Sequence, residues 1–387
     1  MRSPGAIAAA ARWHLTGRRT RTVLIIAGSI AVTLSVVTLI AHAANFHQLL
    51  VTWREADRRW FALMVAGEAF AYLGYILAYR SVAAVFGGPR LGFVLTTRIV
   101  AAGFGAMVAA TSAGGLAVDY WALRRAGADR HSSIARVLAL NTLEWAVLSA
   151  ATVAAAVAVL VRGGSRSVWL EVGWACVVAA CYATAAFMSS PVRITRFLHP
   201  ESPNQARRLL ADAIGGVAIC REVIRHPRRH PAALGGVAIY WAGNLLCLWG
   251  ALQAVGVTLP PDALILGYAT GYLATMVPLP LAGAGSVDAA MVFGLTLVRV
   301  PLAPALLAVA GLRLVTFWLP LIPAVIAAAG MDRIRRELPE VVHPRAESAR
   351  RERQREQRNR RHEEPAPPRR SPPGTVTDGG ADGRDFH

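Results

Sequence analysis

The chain has 387 residues, 55% of them hydrophobic and only 17% charged, with a net charge of +18 carried on the basic side by arginine alone and a mean hydropathy of +0.41. That balance excludes a soluble multidomain protein. The arginines fall between apolar runs and on the tail, as the positive-inside rule requires, so nucleic acid is set aside as a partner.

Residues 1–21 form a basic cytoplasmic N-terminus with Arg18, Arg19 and Arg21. From residue 22 to residue 330 the chain reads as one transmembrane domain, because apolar runs of about 20 residues match the thickness of a bilayer core. The first span is Thr22–Ala44, followed by a loop whose Trp53 and Trp60 suit an interface. Spans at Phe61–Tyr79 and Leu91–Thr111 flank a turn at Gly87, Gly88 and Pro89. Ser112–Leu123 is too short to cross as a standard helix and reads as a broken segment. A basic loop with Arg124, Arg125, Arg130 and Arg136 leads to spans at Ile134–Val161 and Val168–Met188.

Residues 189–231 form the largest internal loop, with eight arginines against Glu201, Asp212 and Glu222. Within it Leu209–Ile224 has amphipathic helical spacing. It fits a helix lying on an anionic lipid leaflet or one packed on neighbouring elements. Spans at Ala232–Val255 and Leu264–Val277 precede a second broken segment, Pro278–Val298, and the last span is Leu302–Ala329. Residues 331–387 are rich in Arg, Glu and Pro without apolar periodicity, and read as a disordered cytoplasmic tail, a solvated segment that is also a candidate dock for a partner protein. The expected fold is an all-α polytopic membrane protein with about eight full spans plus two short or broken helices.

The two broken segments are copies. At a shift of 169 positions Ala113 pairs with Ala282, Gly114 with Gly283, Val118 with Val287 and Asp119 with Asp288. Downstream, Leu143 falls opposite Leu312 and Glu144 opposite Arg313. The repeat cores are residues 91–161 and 264–329. If each broken segment returns the chain across the bilayer, the arginine-rich segments share one side and an odd number of crossings separates each element from its copy. The halves are then inverted, a transporter plan in which substrate binds at the breaks.

Ionisable groups inside spans are costly and point to function. The candidates are Glu68, Arg98, Asp119, Glu144, Glu171, Asp288 and Arg313. Glu68 reads as a partner of Arg98, and Glu171 as an interfacial group near Arg162 and Arg166. Asp119 and Asp288 follow the glycines, where they either cap a new helix start, ion-pair with Arg98 or Arg313, or contact a polar headgroup. Arg313 is either a phosphate ligand, for which its planar fork is suited, or the partner of Glu144. The expected site is therefore Gly114, Gly115, Asp119, Glu144, Pro278, Pro280, Gly283, Gly285, Asp288 and Arg313. Cys176, Cys181, Cys220 and Cys247 lack metal or redox spacing and read as packing residues. With no metal cluster, nucleophile elbow or P-loop, neither cofactor nor catalytic activity is expected.

The second break and the helix after it, PLPLAGAGSVDAAMVFGLTLVRVPLAPALLAVAGLRLVTFWLP, resemble the hallmark of the lysylphosphatidylglycerol synthase transmembrane-region family. Pro278, Pro280, Gly283, Gly285, Arg313, Phe317 and Trp318 match its pattern, while Ala282 stands for a glycine and Asp288 for a glutamate. SAGGLAVDYWALRRAG resembles the family's other glycine-rich break, without its usual preceding proline. The resemblance implies a membrane domain that moves lipids between leaflets. The family's synthases carry a soluble aminoacyl-transferase domain that the short charged tail does not resemble, so synthase activity is not expected. The leading expectation is a flippase-like translocase of the cell membrane, with both termini cytoplasmic, for a phospholipid or lipid-linked saccharide. The alternatives are a proton-coupled transporter of a small polar solute and a membrane scaffold for a partner enzyme.

Overall fold

The computed structural model describes residues 57–110, 112–162, 168–188, 205–276 and 286–329. The first expected span, the tail, and Pro278, Pro280, Gly283 and Gly285 of the second expected break lie outside them. The described residues are helical, with no strand among them. In chain order the helices are α1 (Arg59–Ala84), α2 (Phe93–Ala110), α3 (Ser112–Arg125), α4 (Arg130–Val161), α5 (Val168–Met188), α6 (Gln205–Arg225), α7 (Pro231–Ala254), α8 (Pro261–Tyr272), α9 (Ser286–Leu297), α10 (Leu302–Arg313) and α11 (Leu319–Ala329). A π-helical turn, Leu314–Trp318, joins α10 to α11.

Four described segments are long and apolar enough to cross a membrane: Arg59–Gly87, Arg130–Val161, Pro231–Ala254 and Leu302–Ala324. The expected spans at 91–111 and 264–277 are shorter than drawn. The first is 18 residues; the second is a 12-residue helix running into a 3-10 turn. The residues expected to be unwound in the first half are also helical. Gly114 and Gly115 lie inside the 14-residue α3. A glycine costs a helix only about 1 kcal/mol relative to alanine, and Gly115 recovers this by close packing. A Cβ there would sit 3.3 Å from the Gly103 carbonyl of α2.

Each half has the same four-part order: a long helix (α1 or α7), a short-helix hairpin (α2–α3 or α8–α9), then a long closing segment (α4 or α10–α11). The hairpin helices pack on each other, and each closing segment packs on the other half's hairpin, α4 on α8 and α11 on α2. The most extensive packing joins α1 to α7. A Cβ on Gly67 would lie 2.8 Å from the Gly243 carbonyl, and one on Gly74 2.5 Å from the Gly236 carbonyl. The contacts rise along α1 as they fall along α7, so the helices are antiparallel. The shift of 169 also maps Gly67 onto Gly236 and Gly74 onto Gly243. Each glycine thus touches the copy of the other, the signature of a two-fold axis across the helices. The repeat is inverted, and small residues let the two backbones touch at its axis.

Two arginine-rich stretches have packing roles that charge alone did not indicate. Arg136, assigned above to a basic loop, is buried within α4. It donates to the Ala83 and Val85 carbonyls at 2.9 and 2.8 Å, closing the C-terminal end of α1. Helix α6 packs along α4, burying Ala211, Ile214, Ile219 and Val223, so the packed alternative for this amphipathic helix is the observed one. Asp212 is anchored there 2.6 Å from His131 Nδ1. The Cys220 thiol donates to the Ala139 carbonyl, and burial pushes its pKa up to about 12. Cys176 and Cys181 are exposed on α5, in contrast to the expected packing role. Glu171 is buried in the first turn of α5, and Arg162 pairs with Asp262 at 3.0 Å.

Candidate functional site

A cavity of about 500 Å³ lies where the two halves meet. Its wall includes Glu68, Tyr72 and Tyr75 from α1, Gly115 and Asp119 from α3, and Asn141, Glu144 and Trp145 from α4. The second half adds Tyr240 and Asn244 from α7, Tyr268 and Tyr272 from α8, Asp288 from α9 and Arg313 from α10. Thr316 and Phe317 enter from the π-helical turn. Such turns widen the helix by one residue and recur at functional sites.

Five residues expected from sequence meet here: Gly115, Asp119, Glu144, Asp288 and Arg313. Gly114 is in α3 but not in the cavity wall. Pro278, Pro280, Gly283 and Gly285 fall outside the described residues. The repeat organises the wall. The pairs Asp119/Asp288, Glu144/Arg313 and Tyr75/Asn244 are copies at the same shift, and both members of each line the cavity.

The copies differ in their partners. Arg313 Nε donates to Asp288 Oδ1, so the guanidinium pairs with Asp288 and not with Glu144. Each side chain keeps about a fifth of its surface exposed. Asp288 stands in the first turn of α9, where the positive end of the helix also favours a carboxylate. Asp119 is eight residues into α3, too far along to cap it. It is 5% exposed, and its backbone carbonyl accepts from the Tyr79 hydroxyl at 3.3 Å. Glu144 is 8% exposed, and its Oε1 has no hydrogen-bond partner among the described residues. Its backbone carbonyl accepts from Trp241 Nε1 at 2.8 Å.

Two features were not read as part of the site from sequence. Glu68 lines the cavity, with its Oε2 4.0 Å from the Cys247 thiol. An aromatic wall also runs across the halves. Trp145 meets Tyr272 at a ring separation of 5.2 Å, Tyr75 meets Tyr240 at 5.7 Å, and Tyr268 stacks on Tyr272 at 5.8 Å. On the other side Phe104 meets Phe317 at 6.2 Å. In so apolar a chain single tyrosines do not stand out. Their signal was that Tyr268 and Tyr272 are four apart on one helix face, as are Tyr72 and Tyr75 at three. Among the described residues no group of His, Cys, Asp and Glu could hold a metal ion.

The fold and the site define a polytopic α-helical membrane protein built as an inverted repeat around a polar, aromatic-lined cavity. The model of the Lysylphosphatidylglycerol synthase TM region family matches residues 25–324, and the chain belongs to that family. The match spans both halves and every described cavity residue. It places the protein among membrane proteins associated with lipid and related to its modification or transport. A search of curated proteins found no match to the chain.

Proposed function

We propose that the protein carries a polar lipid headgroup through the cavity between its two halves, moving a phospholipid or lipid-linked saccharide across the cell membrane without chemical change. The observation that supports this reading best is the cavity itself. It is lined from both inverted halves, and it gathers the ionisable residues of Asp119, Glu144, Asp288 and Arg313 inside an apolar bundle. Ionisable groups are retained in membrane helices where they serve a pathway. Substrate at the interface of inverted repeats is the usual arrangement for alternating access. The family match adds the lipid.

Arg313 suits the phosphate of such a headgroup. Its Nε is held by Asp288, while Nη1 and Nη2 have no partner among the described residues. A guanidinium fixed through one edge offers its remaining donors to phosphate oxygens without first losing rotamer freedom. Tyr240, Tyr272 and Asn244 supply polar edges for the rest of the headgroup.

The test is reconstitution in vesicles containing a trace of headgroup-labelled phospholipid, followed by dithionite quenching of the outer leaflet. Protein-containing vesicles are expected to expose inner-leaflet label on a timescale of minutes, and Arg313→Ala to slow this strongly. Quenching no faster than in empty vesicles contradicts the proposal. Arg313→Ala moving lipid as fast as the wild type removes Arg313 from the site.

A further inference from the structure

The charge in the cavity wall does not balance. Among the described residues it contains four carboxylates, Glu68, Asp119, Glu144 and Asp288, and one basic side chain, Arg313. Asp288 takes Arg313. The remaining three carboxylates share a cavity within an apolar bundle. Asp119 and Glu144 face the same cavity from neighbouring helices of the first half. A carboxylate in a low-dielectric site without a counter-charge is far more costly than the neutral acid, and neighbouring like charges raise that cost further. Such a group takes up a proton, and coupled carboxylates share protons as a set.

The hydrogen bonds single out one member of the set. Asp119 has no buried oxygen without a partner among the described residues. Glu68 lies beside the Cys247 thiol. Glu144 is more than nine-tenths buried, lines the cavity, and has an oxygen with no partner among the described residues. The titratable groups around it come from the helices packed against α4 and from the rest of the cavity wall. Helix α1 brings Glu68, Tyr72 and Tyr75, and α3 brings Asp119. Tyr240 comes from α7, Tyr268 and Tyr272 from α8, Asp288 from α9 and Arg313 from α10. Helices α5 and α6 place none of their titratable side chains in the cavity wall.

We infer that Glu144 is the proton-carrying residue of this protein, holding a proton while the cavity is empty and releasing it as cargo enters, so that a proton gradient drives the cargo. The inference rests on the carrier reading above for the identity of the cargo. The chemistry is one exchange. With the cavity empty, a neutral Glu144 carboxyl avoids an uncompensated buried charge. When a headgroup enters, its hydroxyl or ammonium donors reach the unpartnered oxygen and favour the ionised form. The proton then leaves Glu144 for water on the side to which the cavity is open. When the cargo departs on the other side, Glu144 takes a proton from water there. Cargo and proton therefore move in opposite directions, one proton for each cargo molecule.

Two measurements on the full-length protein test this. The first is infrared spectroscopy of wild type, Glu144→Gln and Asp119→Asn at neutral pH, which reads the C=O stretch of protonated carboxyl groups directly. Wild type and Asp119→Asn are expected to share a protonated-carboxyl component that is missing from Glu144→Gln, beside any band from Glu68 or Asp119. The second uses vesicles of phosphatidylethanolamine and phosphatidylglycerol with a trace of headgroup-labelled phosphatidylethanolamine, with and without an imposed gradient of one pH unit. For wild type the gradient is expected to shift the steady-state leaflet distribution of label towards about tenfold, the ratio one pH unit supports for one proton per cargo. Glu144→Gln is expected to show no shift.

A wild type without the band, or a band unchanged in Glu144→Gln, overturns the proton site. Lipid transfer by the wild type that ignores the gradient overturns the coupling and leaves the carrier reading intact. If the wild type transfers no lipid at all, the carrier reading and the coupling both fail, and the infrared band alone decides the proton site. The band needs no transport, so a variant that folds but does not transport still answers the question.

Discussion

The two halves share a backbone plan and differ in how they hold charge. In the second half Asp288 stands at the start of α9 and is ion-paired with Arg313 from α10. In the first half Asp119, its copy, is deep in α3 and buried in the cavity wall. Glu144, the copy of Arg313, faces the cavity with a bare oxygen. Duplication explains why the ionisable groups meet at one place. The divergence explains why one side of the cavity carries a fixed cation and the other a titratable acid. An inverted repeat that kept identical residues would place like charges opposite each other. Changing Arg to Glu at one copy gives the cavity two chemically distinct ends.

The comparison is broken most severely at the ion pair. Removing one partner of a largely buried pair strands the other, at a typical cost of 3–5 kcal/mol. Because each side chain here is about a fifth exposed, about 2–3 kcal/mol is expected for Arg313→Ala or Asp288→Ala. Lipid transfer should fall by at least about tenfold in either variant, equivalent to some 1.4 kcal/mol of barrier. Exchanging the pair, Asp288→Arg with Arg313→Asp, should recover most of the stability but little of the transfer. Thermal unfolding in detergent and the vesicle assay read the two effects separately.

Next in size is the axis between the halves. Gly74→Val or Gly243→Val forces a side chain into backbone atoms less than 3 Å away, and overpacking of this kind costs about 1–3 kcal/mol. Gly235→Val, one residue from the interface, meets nothing within 4 Å and should leave the melting temperature unchanged. If all three variants melt alike, the close α1–α7 contact is wrong.

A smaller effect is expected at Asp119, where no charged partner is lost. Asp119→Ala should lower lipid transfer by about two- to fivefold, corresponding to about 0.5–1 kcal/mol for one polar group of the cavity wall. A loss as large as that of Asp288→Ala would mean that the halves contribute equally. The smallest effect lies away from the cavity. Asp212→Ala removes the His131 contact that anchors α6 on α4, and should cost about 1 kcal/mol of stability without changing lipid transfer.

Much of this arrangement was legible in the chain. Apolar run length carried the membrane class, and the two glycine–aspartate copies pointed to Asp119 and Asp288, which line one cavity. The same shift also pairs Gly67 with Gly236 and Gly74 with Gly243, a signal that leads directly to the axis when the search extends beyond the breaks. Three features were harder to read. The helicity of Gly114 and Gly115 depends on packing of α3 against α2, which overrides the local cost of glycine. The partner of Arg313 was ambiguous because Glu144 and Asp288 are both within reach of a folded chain, and only the geometry of α9 and α10 selects between them. Glu68 seemed to need a cation on a neighbouring helix, whereas the cavity gives it a place beside Cys247.

The central claim is that a lipid headgroup occupies the cavity between the inverted halves. Its most direct test is a cryo-EM structure of the full-length protein in phospholipid nanodiscs. The account predicts headgroup density in the cavity, within hydrogen-bonding distance of the Arg313 Nη atoms and between the side chains of Asp288 and Glu144. Lipid density confined to the outer apolar surface, with the cavity filled by protein side chains or water alone, would contradict it.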